Sequence, residues 1–288
     1  MDDKQIRQIL EFQKNEITEY HIYTRLAGFV KSHENSRVLA EIGNEELAHY
    51  EKWKTVSGQA VRPNMFKVFV FVLIGKLFGY TFAIKLMEMG EEDAQDNYGA
   101  FKTHYPDIDS FIREESEHEE KLMSMLNEER LHYIGSIVLG LNDALVELTG
   151  ALAGLTFALQ NTRLIALTGL ITGIAASLSM AASEYLSTKT EGTERHPIKA
   201  SLYTGTAYVL TVMSLILPYL LLSNYYVCLA LTMVVAVMII AFFNYYLAVV
   251  EDVSFRKRFL EMALLSTGVA GFSFLVGVLV RHFFGVDI

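Results

Sequence analysis

The chain has 288 residues, of which 52% are hydrophobic, and a mean hydropathy of +0.28, which is too apolar for an ordinary soluble protein and predicts membrane spans. Residues 1–130 contain 16 Lys and Arg against 24 Asp and Glu, whereas residues 131–288 contain 8 against 9. This acidity argues against nucleic acid as a partner, because a phosphate backbone needs a basic face, and it suits cations.

Four amphipathic helices are predicted in the first 130 residues, because apolar residues recur at three- and four-residue spacing with charge on the opposite face. Mostly short turns between them favour a four-helix bundle, and one long crossover, between the second and third helices, is what a ferritin-like connection needs. The predicted helices cover residues 4–31, 34–57, 82–104 and 107–130.

The crossover contains a strongly apolar segment, residues 64–81, which nevertheless carries Lys67 and Lys76. A single crossing of the membrane here would put the first two helices and the last two on opposite sides, so the bundle could not close. We therefore expect a segment that docks on the bundle or lies at the membrane interface, with a dimer contact as the alternative.

Five apolar stretches after residue 131 are long enough to cross a bilayer, which takes about 20 residues. The loops on one side of these stretches carry six basic residues, and those on the other side, with the C-terminus, carry two. The positive-inside rule places the more basic side in the cytoplasm, so we expect a cytoplasmic N-terminal domain and an external C-terminus. The predicted spans are residues 134–159, 164–186, 202–222, 226–250 and 259–284.

Candidate metal ligands recur on alternate predicted helices. The second and fourth helices each carry Glu-x-x-His, whose two side chains project from one helix face. The first and third each carry one Glu followed seven residues later by Tyr. Two ferrous ions need bridging carboxylates and completing imidazoles, and this set is the di-iron carboxylate arrangement. The candidate ligands are Glu16, Glu46, His49, Glu91, Glu115 and His118.

On these residues, the segment 1–130 resembles the rubrerythrin branch of the ferritin-like family, which implies that the six candidates hold a di-iron centre. A Glu that rubrerythrins often carry three residues after the third-helix ligand is Ala94 here, which argues against ligand switching. The sequence also lacks the rubredoxin module that is the usual electron donor. Neighbouring carboxylates are predicted to form solvated helix faces: Glu19, Glu45, Glu88, Glu92, Glu117 and Glu119. Among them, Glu88, Glu92 and Glu119 are the alternatives for an extra ligand.

Acidic residues inside the predicted spans are the second feature. Asp143 and Glu147 are four residues apart in the first span, and Met180 and Glu184 are four apart in the second. A charge at mid-bilayer costs at least about 2.5–3.5 kcal/mol, so it normally faces a cavity or a partner. A thioether beside a carboxylate favours a transition metal over calcium or magnesium. The alternatives are acids at the membrane interface and a Met180 that only packs.

The segments GLNDALVELTGALAGL and SMAASEYLSTKTE resemble the first two spans of the vacuolar iron transporter family, and the resemblance covers about residues 131–288. It implies that Asp143, Met180 and Glu184 line a path for Fe²⁺ or Mn²⁺ between the subunits of a homodimer, with proton antiport as the driving force. Met213 is a weaker carry-over. The two parts together resemble the bacterial membrane-bound ferritin group, which implies a prokaryotic inner or plasma membrane.

We therefore predict an all-α protein with a ferritin-like domain at residues 1–130 and a five-span membrane domain at residues 131–288. The predicted function is efflux of Fe²⁺ or Mn²⁺, with metal captured, sensed or oxidised by the N-terminal domain. The alternative is a membrane-anchored di-iron peroxidase or oxidase. Storage in a soluble ferritin-like shell is implausible, because each chain carries five apolar spans.

Overall fold

The computed structural model describes residues 3–95, 129–192, 195–251 and 253–284, and every element within these ranges is an α-helix. The chain divides into two compact units, Met1–Glu128 and Glu129–Ile288. The first contains α1 (Asp3–Ala27), α2 (His33–Ser57), α3 (Met65–Phe78) and α4 (Tyr80–Gln95). The second contains α5 (Glu129–His132), α6 (Ile134–Leu159), α7 (Thr162–Glu191), α8 (Pro197–Leu221), α9 (Tyr225–Glu251) and α10 (Phe255–Phe284).

Helices α1 and α2 form an antiparallel hairpin. The first predicted helix extends to residue 31, but α1 ends at Ala27. The Ala27 carbonyl accepts a hydrogen bond from the Ser36 hydroxyl (3.0 Å) in place of a helical partner. Ser32 caps α2 by accepting a hydrogen bond from the Asn35 backbone N–H. The hairpin buries Ile22, Leu26, Val38 and Leu39 among other apolar side chains.

The crossover between α2 and α4 contains helix α3, which runs beside α1 in the same direction. Near its start, the Asn64 backbone N–H donates to the Thr18 hydroxyl (2.9 Å), and near its end the Lys76 ammonium lies 5.3 Å from the Phe29 ring centroid. Helix α4 then packs Ile84 and Met87 into the same core. The predicted fourth bundle helix, residues 107–130, lies almost entirely outside the described residues.

The second unit has five helices long and apolar enough to cross a membrane, which fits an integral membrane protein. Three of them extend beyond the predicted spans by four or five residues at one end. Helix α7 continues to Glu191, α8 begins at Pro197 and α10 begins at Phe255. Several basic residues assigned to loops, including Lys189 and Arg256, are therefore in helix ends.

Helix α6 is the centre of the membrane unit, since it contacts α7, α8, α9 and α10. Glycines permit the closest of these approaches. A Cβ at Gly140 would overlap the backbone of Thr204 in α8, and a Cβ at Gly277 in α10 would overlap the backbone of Gly154. The small residues thus bring the helix backbones together, as at many helix interfaces in membranes.

Candidate metal sites

Three of the six candidate ligands in the first unit converge in the structure. Glu16 comes from α1, and Glu46 and His49 come from one face of α2. His49 Nδ1 lies 3.7 Å from Glu16 Oε2 and 3.9 Å from Glu46 Oε2. The side chains of Glu16, Glu46 and His49 are 4%, 15% and 13% exposed. The hairpin thus builds a largely buried group of two carboxylates and one imidazole.

A tryptophan orients the Glu16 carboxylate within this group. The Trp53 indole Nε1 donates a hydrogen bond to Glu16 Oε1 at 3.2 Å, and its ring packs on Phe12 with centroids 5.6 Å apart. The other oxygen, Glu16 Oε2, is buried and accepts no hydrogen bond from any residue that the structure describes. Because a buried carboxylate oxygen normally has a partner, this oxygen is directed at a place that a cation could fill.

The donor types and spacing fit a divalent transition metal. Carboxylate and imidazole together suit iron, manganese and zinc, and the three ligand atoms all lie within 4.8 Å of one another. Ions bound at about 2.0–2.2 Å hold neighbouring ligand atoms about 3–3.5 Å apart, so a contraction of about 1 Å would complete the geometry. Of the remaining candidates, Glu91 is in α4 but its side chain is not described, and Glu115 and His118 lie outside the described residues.

The interpretation of Glu19 as part of a solvated face is wrong. Its side chain is 4% exposed, and Glu19 Oε1 lies 3.0 Å from the Lys67 ammonium of α3. The sequence pattern missed this pair because the crossover, 48 residues away, places Lys67 over what would otherwise be an open acidic helix face. The pair neutralises Glu19 and attaches α3 to α1, so Glu19 is a structural partner rather than an exposed acid.

In the membrane unit, Glu184 of α7 lies in a buried polar cluster. It is 7% exposed, and its Oε1 accepts a hydrogen bond from the Ser136 hydroxyl of α6 at 2.5 Å. Arg195 Nη1 approaches the same oxygen at 3.9 Å, and Arg195 Nη2 bonds Glu191 Oε2 at 2.8 Å. Glu184 therefore faces the helix bundle and not lipid, with a cationic partner already beside it.

Glu147 lies at the middle of α6, beside a cavity of about 630 Å³. The Tyr208 hydroxyl of α8 donates a hydrogen bond to Glu147 Oε2 at 2.7 Å. Thr168, Thr172 and Ser273 add hydroxyl groups to an otherwise mainly apolar lining. The Glu147 carboxylate is therefore accessible to a small ion or water, while the Tyr208 hydroxyl holds its Oε2 in place.

The transport-path candidates are distributed along the span rather than gathered at one point. Asp143 is half-buried and seven residues beyond Ser136 in α6, so it lies about 10 Å deeper than the contact with Glu184. Met180 packs on the core of the unit, whereas Met213 is 45% exposed on α8. Among the described residues, these acids form no group of three convergent ligands like that of Glu16, Glu46 and His49.

Residues 134–194 match the VIT family. The matched segment contains α6 and α7, the two helices that carry Asp143, Glu147, Met180 and Glu184. A comparison with curated proteins finds no match to the chain. The VIT match and the five apolar helices together indicate transport of metal ions across a membrane, and the match does not extend to the first unit.

Three site residues escaped the sequence interpretation. Trp53 follows His49 by four residues and thus shares its helix face, a spacing that could have identified it. Tyr208 lies in α8 beyond the VIT match, and no local pattern connects it to Glu147. Arg195 was counted only as a basic loop residue, because its approach to Glu184 depends on the path of the chain after α7.

Proposed function

We propose that this protein exports a divalent transition-metal ion, Fe²⁺ or Mn²⁺, from the cytoplasm in exchange for protons. The observation that carries the proposal is the VIT match over α6 and α7, which hold carboxylates inside a membrane-spanning unit. Glu184 and Glu147 support it, because each accepts a hydrogen bond from a hydroxyl of a neighbouring helix; Glu184 is buried, and Glu147 is exposed beside the cavity.

Proton coupling follows from the ligand chemistry. A carboxylate binds a metal ion only when deprotonated, so protons and metal ions compete for Asp143, Glu147 and Glu184. The membrane potential opposes the exit of a divalent cation from the cytoplasm by about 2.3 kcal/mol per charge for each 100 mV. Export therefore needs a second driving force. A proton gradient directed into the cytoplasm supplies it when protons and metal ions exchange at the same carboxylates.

The direction of transport rests on the distribution of basic residues. Six basic residues flank the spans on one side, including Arg195 and Lys199, and two, Arg163 and Arg281, flank them on the other. The positive-inside rule then assigns the side of Arg195 and Glu184 to the cytoplasm. In this orientation Glu184 is the first span carboxylate that a cytoplasmic ion reaches, and Asp143 and Glu147 lie deeper.

In this proposal, the Glu16–Glu46–His49 group captures cytoplasmic metal for the membrane unit. Its donor set favours the same ions, and its burial provides selectivity against the more strongly hydrated magnesium. The same donor set supports the second candidate, a membrane-anchored peroxidase or oxidase, in which bound iron would supply the redox chemistry. Glu16, Glu46 and His49 would hold the iron in either case, with Trp53 orienting Glu16.

Transport is tested with the full chain in proteoliposomes that contain a metal-sensitive dye. We expect Mn²⁺ or anaerobic Fe²⁺ to enter faster when the lumen is acidic, because protons leave as metal enters. Glu184→Gln and Asp143→Asn should abolish this difference, whereas Glu261→Gln, at an exposed position of α10, should preserve it. Uptake that ignores the proton gradient, or normal uptake by Glu184→Gln, would refute the proposal.

The two candidate roles of the first unit are separated by a double substitution. If the group captures metal, Glu46→Ala with His49→Ala should raise the metal concentration needed for half-maximal uptake and lower the metal tolerance of cells. If the unit is an enzyme, the same variant should lose peroxide consumption and keep normal tolerance. Glu41→Ala, an exposed acid on the same helix, is the matched control.

A further inference from the structure

The outer face of α3 is an apolar surface formed by a regular stripe of side chains. Phe66, Phe69, Leu73 and Leu77 recur at three- and four-residue spacing, and they are 76%, 61%, 42% and 60% exposed. Met65 extends the surface at the start of the helix with 47% exposure. Contiguous exposed apolar surfaces of this kind mark interaction sites rather than ordinary solvent-facing helix surface.

The opposite face of α3 is fixed to the first unit, so the stripe has a defined orientation. Val68 is fully buried, and a Cβ at Gly75 would collide with the Leu26 side chain, which shows how closely the helix approaches α1. The ion pair between Lys67 and Glu19 holds the helix at its first turn. The helix therefore presents its apolar stripe outward from a packed position.

Charge identifies what the stripe meets. Residues 52–87 contain six Lys and Arg and no Asp or Glu, whereas residues 1–130 as a whole carry an excess of acids. Arg62 and Lys76 are exposed near the two ends of α3. Basic side chains beside exposed aromatic and aliphatic residues complement a surface with anionic headgroups over hydrocarbon. The same basic side chains would repel a partner with a basic surface.

The length of α3 decides between lying on a bilayer and crossing one. Its 14 residues span about 21 Å, which is shorter than the hydrocarbon core of about 30 Å. A bilayer is available to the first unit, because the same chain carries five helices long and apolar enough to cross a membrane. We propose that α3 lies in the headgroup region of an anionic bilayer, with Phe66, Phe69, Leu73 and Leu77 inserted and Arg62 and Lys76 at the phosphates.

The test measures the depth of a nitroxide label on the full chain in lipid nanodiscs. Cys228 is first replaced by Ser, which keeps a donor to the Pro218 carbonyl, so that one introduced cysteine carries the label. Labels at Phe69→Cys and Leu77→Cys report on the stripe, and a label at Ala40→Cys, on an exposed position of α2, is the control. Relaxation by oxygen, which partitions into lipid, is compared with relaxation by an aqueous nickel chelate.

In nanodiscs of phosphatidylcholine with phosphatidylglycerol, we expect oxygen to dominate at Phe69→Cys and Leu77→Cys and the nickel chelate to dominate at Ala40→Cys. Nickel accessibility at the stripe equal to that of the control would overturn the proposal. Loss of accessibility to both reagents, with spin–spin broadening that disappears on dilution with unlabelled chain, would also overturn it, because that result assigns the stripe to a second copy.

A charge series tests the headgroup contact. Arg62→Gln and Lys76→Gln should each lower the ratio of inserted to water-exposed label about fivefold in the anionic nanodiscs. Neither should change the ratio in nanodiscs of phosphatidylcholine alone, where insertion is weaker. Lys52→Gln, in the exposed part of α2, is the comparison for a basic residue outside α3. Equal insertion in both lipid compositions would overturn the assignment of an anionic surface.

Discussion

Trp53→Phe isolates the hydrogen bond that orients Glu16, a carboxylate of the candidate metal group. The substitution keeps an aromatic ring to pack on Phe12 but removes the indole N–H that donates to Glu16 Oε1 at 3.2 Å. The Glu16 side chain is 4% exposed, so solvent cannot replace the lost donor easily. We expect the carboxylate to rotate away from the orientation in which its free oxygen faces His49 and Glu46.

The expected magnitude follows from the role of groups that orient metal ligands. Removing such a group typically weakens metal affinity 10–100-fold, which corresponds to about 1.4–2.8 kcal/mol. The lost hydrogen bond to a buried charged acceptor is of the same order, about 1.5–3 kcal/mol.

The assay titrates the detergent-solubilised full chain with Mn²⁺ and follows the electron paramagnetic resonance signal of the free ion. Tyr50→Phe is the matched control, because Tyr50 is a buried aromatic on the same helix whose hydroxyl makes only a long bond of 3.4 Å to the Val61 carbonyl. We expect weaker Mn²⁺ binding for Trp53→Phe and unchanged binding for the control. Equal affinity in the two variants would refute the orienting role of Trp53.

Two further predictions concern stability. Gly140→Ala should lower the free energy of unfolding by about 1–3 kcal/mol, because the added Cβ overpacks against the Thr204 backbone. The melting temperature of the full chain in detergent should fall accordingly, whereas Gly135→Ala, with open space at its Cβ, should leave it unchanged. Burial, aided by the Arg25 charge, lowers the pKa of His21 below 6.5 in the folded protein. As the pH falls, His21 of the unfolded state is therefore protonated at a higher pH than His21 of the folded state. Stability should therefore fall as the pH drops below 6.5, and His21→Gln should flatten that part of the curve.

Helix spacing explains how far the first metal group could be predicted. Glu46 and His49 share a helix face whatever the neighbouring helix does, and a short turn forces α1 to lie antiparallel to α2. Glu16 therefore lies opposite Glu46 and His49, because the short turn fixes which residues of α1 lie beside which residues of α2. The pairing of Glu19 with Lys67 could not be predicted in this way, since it depends on which side of the hairpin the crossover follows.

The five spans were predictable because length and apolarity alone identify them. The hydroxyl partners of the span acids were less accessible, since they lie on other helices far along the chain: Tyr208 joins Glu147 across 61 positions and Ser136 joins Glu184 across 48. A local pattern shows that a span contains an acid, and the cost of burying it shows that a partner must exist. Which residue is that partner depends on how the helices pack.

Arg195 shows why the partner of a buried acid matters for the proposed transport. A buried carboxylate such as Glu184 is strongly destabilised without a counter-charge, and the guanidinium at 3.9 Å supplies one when no metal is bound. Arg195 also bonds Glu191 at 2.8 Å, so it retains one acidic partner if it leaves Glu184. In the proposed transport function, a metal ion that arrives at Glu184 exchanges with a positive charge already in place, which lowers the cost of an empty site and limits how tightly the ion is held.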